Sequence, residues 1–120
     1  EMRFNDAWPD GKPKLVSFAA KWEEDTFDYN GSQRRFGCED EEPELARQLI
    51  ETTKKVWDLF SLRGYARVDY RVDTNNKPWV LEINPNCCIS TDAGFAAAAE
   101  QAGICYDELI NRVAFAALHA

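Results

Sequence analysis

The strongest constraint lies between residues 65 and 84. Two runs, Tyr65 to Asp73 (YARVDYRVD) and Trp79 to Asn84 (WVLEIN), flank the polar segment Thr74-Asn75-Asn76-Lys77-Pro78. Alternating runs around a short Asn-rich break predict a β-hairpin, and Asn tolerates the left-handed angles of a tight turn at Asn75-Asn76. A regular ladder about that turn sets Asp69 opposite Glu82. Because side chains alternate, Val68, Tyr70 and Val72 should share a face with Trp79, Leu81 and Ile83, and Arg67, Asp69 and Arg71 should share the other with Val80, Glu82 and Asn84.

Two carboxylates directly opposite repel, so a cation is expected between them. One reading is a metal. Asp69, Glu82 and the amide oxygen of Asn84 form an all-oxygen set suited to magnesium, or to Mn2+, which keeps waters and completes its shell with nucleotide phosphates. The other reading is a solvated sheet face on which Arg67 and Arg71 bridge the acids. The next segment, Pro85-Asn86-Cys87-Cys88-Ile89-Ser90, favours the first, because a small polar loop leading to a helix start near Thr91-Asp92 offers backbone amides to an anion.

The flanks read as follows. Lys14 to Trp22 (KLVSFAAKW) alternates and predicts a strand with Lys21 near its end. Residues 23–42 are polar, carry Asn30-Gly31 and Gly37, and predict a long irregular loop. Pro43 at a first helical position and Leu45, Leu49, Val56 and Phe60 at helical spacing predict a helix over about 43–62, stopped by Gly64. Two more helices are expected, from Ala93 to Gln101 before Gly103 and from Asp107 to Leu118, the latter with Leu109, Ile110, Val113 and Leu118 facing inward. The expected fold class is α+β: an antiparallel sheet of the hairpin and the 14–22 strand, covered on its apolar face by the helices. Leu81 and Trp79 should then belong to the core.

The 120 residues suit one domain, and a start at Glu1 in mid-pattern suggests a piece of a longer protein. A net charge of -7 and a pI near 4.7 argue against nucleic acid or an anionic membrane as partner. No apolar run approaches the roughly 18 residues that span a bilayer, so a cytoplasmic location is expected. Cys38, Cys87, Cys88 and Cys105 lack zinc-site spacing, and His119, the single histidine, stands next to the end. A Ser-His or Cys-His mechanism would depend on a frayed terminus.

From Arg63 to Ser90, RGYARVDYRVD followed by WVLEINPN and IS, and on through DAGFAAAAEQAGICYDELI to Ile110, the sequence resembles the ATP-grasp enzymes, most closely the D-alanine–D-alanine ligase group. A weaker match covers Lys14 to Trp22. The resemblance implies the C-terminal half of an ATP-grasp domain. It further implies that Asp69 binds one magnesium ion, Glu82 bridges two and Asn84 binds the second. Arg67 would steady the transferring phosphoryl group, and Lys21 would contact phosphate or the acyl-phosphate. Cys88 and Ser90 would lie near a small amino-acid-like substrate.

The implied reaction phosphorylates a carboxylate with ATP and lets an amine attack the acyl-phosphate. Two departures stand out: Cys87 replaces the family's usual proline, and the segment around Phe36-Gly37-Cys38 lacks a Pro-Ala step. The partner half's second lysine, adenine hinge and glycine-rich loop are not found in these residues, so the chain by itself is expected to be inactive. The competing expectation is a non-catalytic module that self-associates, as a homodimer, through an exposed sheet edge.

Overall fold

The structure, a computed structural model, describes residues 1–119. It is α+β, with small antiparallel sheets among helices, and divides into two compact units, residues 1–37 and Cys38 onward.

In the first unit β1 (Met2–Phe4) pairs antiparallel with β2 (Ser32–Arg34). Its centre is Trp8, which is buried, meets Phe4 edge-on at 4.6 Å between ring centroids and lies against Phe27 at 5.5 Å. Gly31 backs onto the Trp8 ring so closely that a Cβ there would stand 3.3 Å from it. The expected strand at 14–22 is absent. Phe18–Trp22 is instead a short helix, α1, because Ser17 caps it by accepting the Ala20 N–H at 3.2 Å. Apolar residues fell on both sides of the supposed strand, so the alternation carried little information. Lys21 sits in the last turn of α1, exposed. Nor are residues 23–42 one irregular loop: Thr26 caps α2 (Phe27–Gly31), β2 follows, and α3 (Cys38–Glu41) precedes the long helix.

The second unit opens that helix, α4 (Pro43–Leu59), with Pro43 in its first turn and Leu45 and Val56 buried. It ends before Gly64. Ser61 adopts φ 49°, its N–H bonds Asp58 O at 3.1 Å, and the Leu62 N–H reaches back to Trp57 O at 3.0 Å. That pair of bonds is a Schellman closure built on serine instead of glycine. Phe60, expected in the core, lies past the last turn and is largely exposed. Helices α5 (Gly94–Gln101) and α6 (Tyr106–Leu118) follow the hairpin, Gly103 at φ 80° turning the chain between them. Leu109 is buried, Ile110 and Val113 are partly so, and Leu118 is exposed at the end of its helix, against expectation.

The hairpin is β3 (Arg67–Val72) and β4 (Pro78–Asn84). Its turn holds one residue fewer than an even-numbered loop requires. Asp73 N donates to Lys77 O, Asn76 N donates to Asp73 O, and Asn76 alone takes a positive φ, 57°. A three-residue loop ending in a left-handed residue shifts the outer pairs to Val72 with Pro78, Arg71 with Trp79 and Tyr70 with Val80. A bulge then takes up Leu81, and the inner pairs are Asp69 with Glu82, Val68 with Ile83 and Arg67 with Asn84.

Two corrections follow. Trp79 lies on the polar face beside Arg71, its Nε1 donating to Asp73 Oδ2 at 3.0 Å and its ring under Lys77 Nζ at 4.1 Å. Leu81 is no core residue either, being 66% exposed. The face bearing Tyr70 meets α4, where Tyr70 Oη lies 2.8 Å from Thr53 Oγ1.

Candidate metal and phosphoryl site

Four polar side chains stand in two facing pairs on one side of the hairpin: Arg67 opposite Asn84, and Asp69 opposite Glu82. Residues at i and i+2 of a strand share a face, so Arg67 also neighbours Asp69 along β3. Its guanidinium grips that carboxylate with both arms, Nε to Oδ1 at 2.6 Å and Nη2 to Oδ2 at 2.9 Å. This contact, helped at longer range by the Glu82 charge, holds the Arg67 pKa above its ordinary value against partial burial. The salt-bridged reading of this face is therefore realised at Asp69. Glu82 is exposed, accepts no hydrogen bond among the described residues, and acts on Arg67 through space.

Asn84 is half-buried where β4 runs into the loop. Its Oδ1 accepts the backbone N–H of Asn86 at 3.0 Å, an Asx-type turn that starts the departure from the strand. Since a backbone N–H can only donate, the atom facing it is the amide oxygen. Asn86 is held in turn by Tyr65, whose hydroxyl donates to Asn86 Oδ1 at 3.3 Å while its ring meets Phe95 of α5 at 5.5 Å. Neither contact was foreseen from sequence, because both depend on how the loop folds back over the start of β3.

The two adjacent cysteines occupy different environments. Cys87 is buried at 3% exposure, and burial raises its thiol pKa although the nearby Arg67 charge opposes the change. Cys88 is exposed with Sγ 3.0 Å from Ser90 Oγ, a contact that lowers its pKa. All four cysteines are free thiols. Lys21 belongs to the first unit, in the last turn of α1. Among the described residues no three His, Cys, Asp or Glu side chains converge as a metal-ligand cluster. The oxygen set on this face is two carboxylates and one amide.

Comparison with known proteins identifies the family. The chain belongs to the family described as D-ala D-ala ligase C-terminus, whose model matches residues 14–114. It is 33% identical over 72 residues to a D-alanine–D-alanine ligase of Carboxydothermus hydrogenoformans, covering 59% of this chain and 23% of that protein. It is 39% identical over 72 residues to an uncharacterised protein of Sinorhizobium fredii, covering 60% of this chain and 21% of that protein. A D-alanine–D-alanine ligase of Bordetella petrii is 24% identical over 82 residues, 68% of this chain and 25% of the ligase. The chain thus spans about a quarter of the length of the curated relatives it matches. No solved structure matches. No helix of the described residues is long and apolar enough to cross a membrane.

Proposed function

We propose that this chain is the C-terminal ATP-grasp subdomain of a longer, cytoplasmic Mg-ATP-dependent carboxylate–amine ligase, D-alanine–D-alanine ligase-like, and supplies its metal and phosphoryl site. The observation that carries the reading is the pairing of Asp69 with Glu82 and of Arg67 with Asn84 on one face, in a chain of this family. An all-oxygen donor set of two carboxylates and an amide fits hard divalent ions such as Mg2+ or Mn2+, and lacks the thiolate and imidazole ligands typical of a zinc site.

In this reading Asp69, Glu82 and Asn84 are the residues that would hold the magnesium ions. The ions supply positive charge to the phosphate oxygens of ATP. Arg67 adds a planar fork of donors that matches a phosphoryl group as it matches the Asp69 carboxylate. A guanidinium stays cationic at any pH the enzyme meets. Phosphoryl transfer depends on positioning and on cations at the developing charge, so these four side chains cover this half's share of the work. Lys21 contributes a further cation toward phosphate or acyl-phosphate. The loop from Pro85 to Ser90, with Cys88 and Ser90 exposed, borders the site of the small amino-acid-like substrate.

The test is isothermal titration of magnesium with a non-hydrolysable ATP analogue into the chain and into Glu82→Gln. Heat in the first that is lost in the second supports the site. Equal heats, or none in either, contradict it for this chain and leave a folded module of the same family without a nucleotide function of its own.

A further inference from the structure

Any cation that chelates both Asp69 oxygens must displace one already there. Both Asp69 oxygens accept from the Arg67 guanidinium, at 2.6 and 2.9 Å, so the position from which an ion would chelate both oxygens is taken by a partner of matching shape, and only the outer lone pairs stay open. Glu82, directly opposite, has no such partner among the described residues. The two acids of the pair are therefore unequal.

We infer that Arg67 makes the site selective for a metal–phosphate complex over the free metal ion. This rests on the function proposed above. A bare divalent ion arriving at Asp69 either separates a bidentate ion pair, leaving the guanidinium unpaired, or sits on an outer lone pair beside an uncompensated positive charge. A metal–nucleotide arriving at the same place brings phosphate oxygens, and Arg67 exchanges one planar anion for another without losing its fork of hydrogen bonds. The exchange is short-ranged, because Arg67 reaches Asp69 along the strand from two residues away and faces Asn84 across it. Metal loading and phosphate binding are thereby coupled through one side chain. The carboxylate is about one-third exposed and the arginine somewhat more, so the barrier to displacement is modest and the coupling is a bias of affinity.

Charge alone would also repel a metal, and Arg67→Lys separates the two effects. Lysine keeps the charge but cannot pair with both oxygens at once. The probes are Mn2+ alone, followed by water-proton relaxation, and Mg2+ with a non-hydrolysable ATP analogue, followed by calorimetry. Each is titrated into the wild-type chain, Arg67→Lys, Arg67→Gln and Glu82→Gln.

The expected result is that Arg67→Lys and Arg67→Gln both bind Mn2+ alone roughly two- to fivefold more tightly than wild type, the range of an exposed ion pair, and both bind the metal–nucleotide more weakly. Glu82→Gln should lose both ligands. Mn2+ binding that depends on Glu82 but is the same in wild type and Arg67→Lys overturns the gating role and leaves the metal site standing. Mn2+ and nucleotide binding unaffected by Glu82→Gln, or absent throughout, overturns both. Circular dichroism of each variant identifies any that fails to fold, and Asp69→Asn, which dissolves the pair from the other side, then serves as the second probe: Mn2+ must weaken there if Asp69 is a ligand.

Discussion

Tyr70 Oη lies 2.8 Å from Thr53 Oγ1, and this contact fastens the strand bearing Asp69 to the middle of α4. Thr53 spends its own hydroxyl proton on Leu49 O at 2.8 Å, so the tyrosine is the donor in the pair. Tyr70→Phe should lower stability by about 1 kcal/mol, the usual net worth of one such bond. Urea denaturation with an unchanged m-value would register it. A midpoint identical to wild type would mean that the hairpin is held to α4 by apolar contact alone.

Leu81 and Leu45 differ only in where the bulge and α4 put them. Leu81→Ala removes a side chain that water already covers, and its cost should stay within about 0.5 kcal/mol. Leu45→Ala empties a buried position and should cost about 2–5 kcal/mol. Thermal melts of the two variants compared directly would reverse this order if the outer half of the hairpin were in regular register.

Ser61 closes α4 from the left-handed region, where a side chain is strained. Ser61→Gly should stabilise the chain by about 0.5–1 kcal/mol, since glycine adopts φ near +50° without penalty and the two closing bonds are made by backbone atoms. A decrease in melting temperature would show that the serine hydroxyl contributes something the backbone geometry does not.

Cys88 should react with iodoacetamide ahead of Cys87. The Ser90 contact lowers the Cys88 pKa, so more thiolate is present at a given pH below it, while burial both raises the Cys87 pKa and shields the sulfur. Ser90→Ala should slow Cys88 alkylation near pH 8 and leave it unchanged well above the thiol pKa. Peptide mapping by mass spectrometry at the two pH values separates loss of thiolate from loss of access.

The sequence was most informative where one local signal had no rival. Pro43 and the Leu45 to Val56 spacing located α4 because no strand tolerates that pattern over four turns, and the hairpin was plain from its alternation. At Lys14 to Trp22 two periods fitted equally well, and Ser17, a capping residue three positions inside the supposed strand, was the cue that favoured a helix. Within the hairpin the turn was expected to hold an even number of residues and the ladder to be regular. Both expectations failed by one residue, in opposite senses. The facing of Trp79 and Leu81 was therefore misread, whereas the opposition of Asp69 and Glu82 was read correctly. Ser61 carried no signal at all, since left-handed closure on serine depends on Leu62 folding back to Trp57.

The bulge at Leu81 works as slack in the strand. Between the turn and the carboxylates the two strands slip by one step, and Leu81 absorbs the slip, so the tip and the site are out of phase with each other. Removing that residue would leave Tyr70 with Val80 and Asp69 with Glu82 in an unbroken ladder, which means that the acidic pair does not depend on the hairpin's exact length.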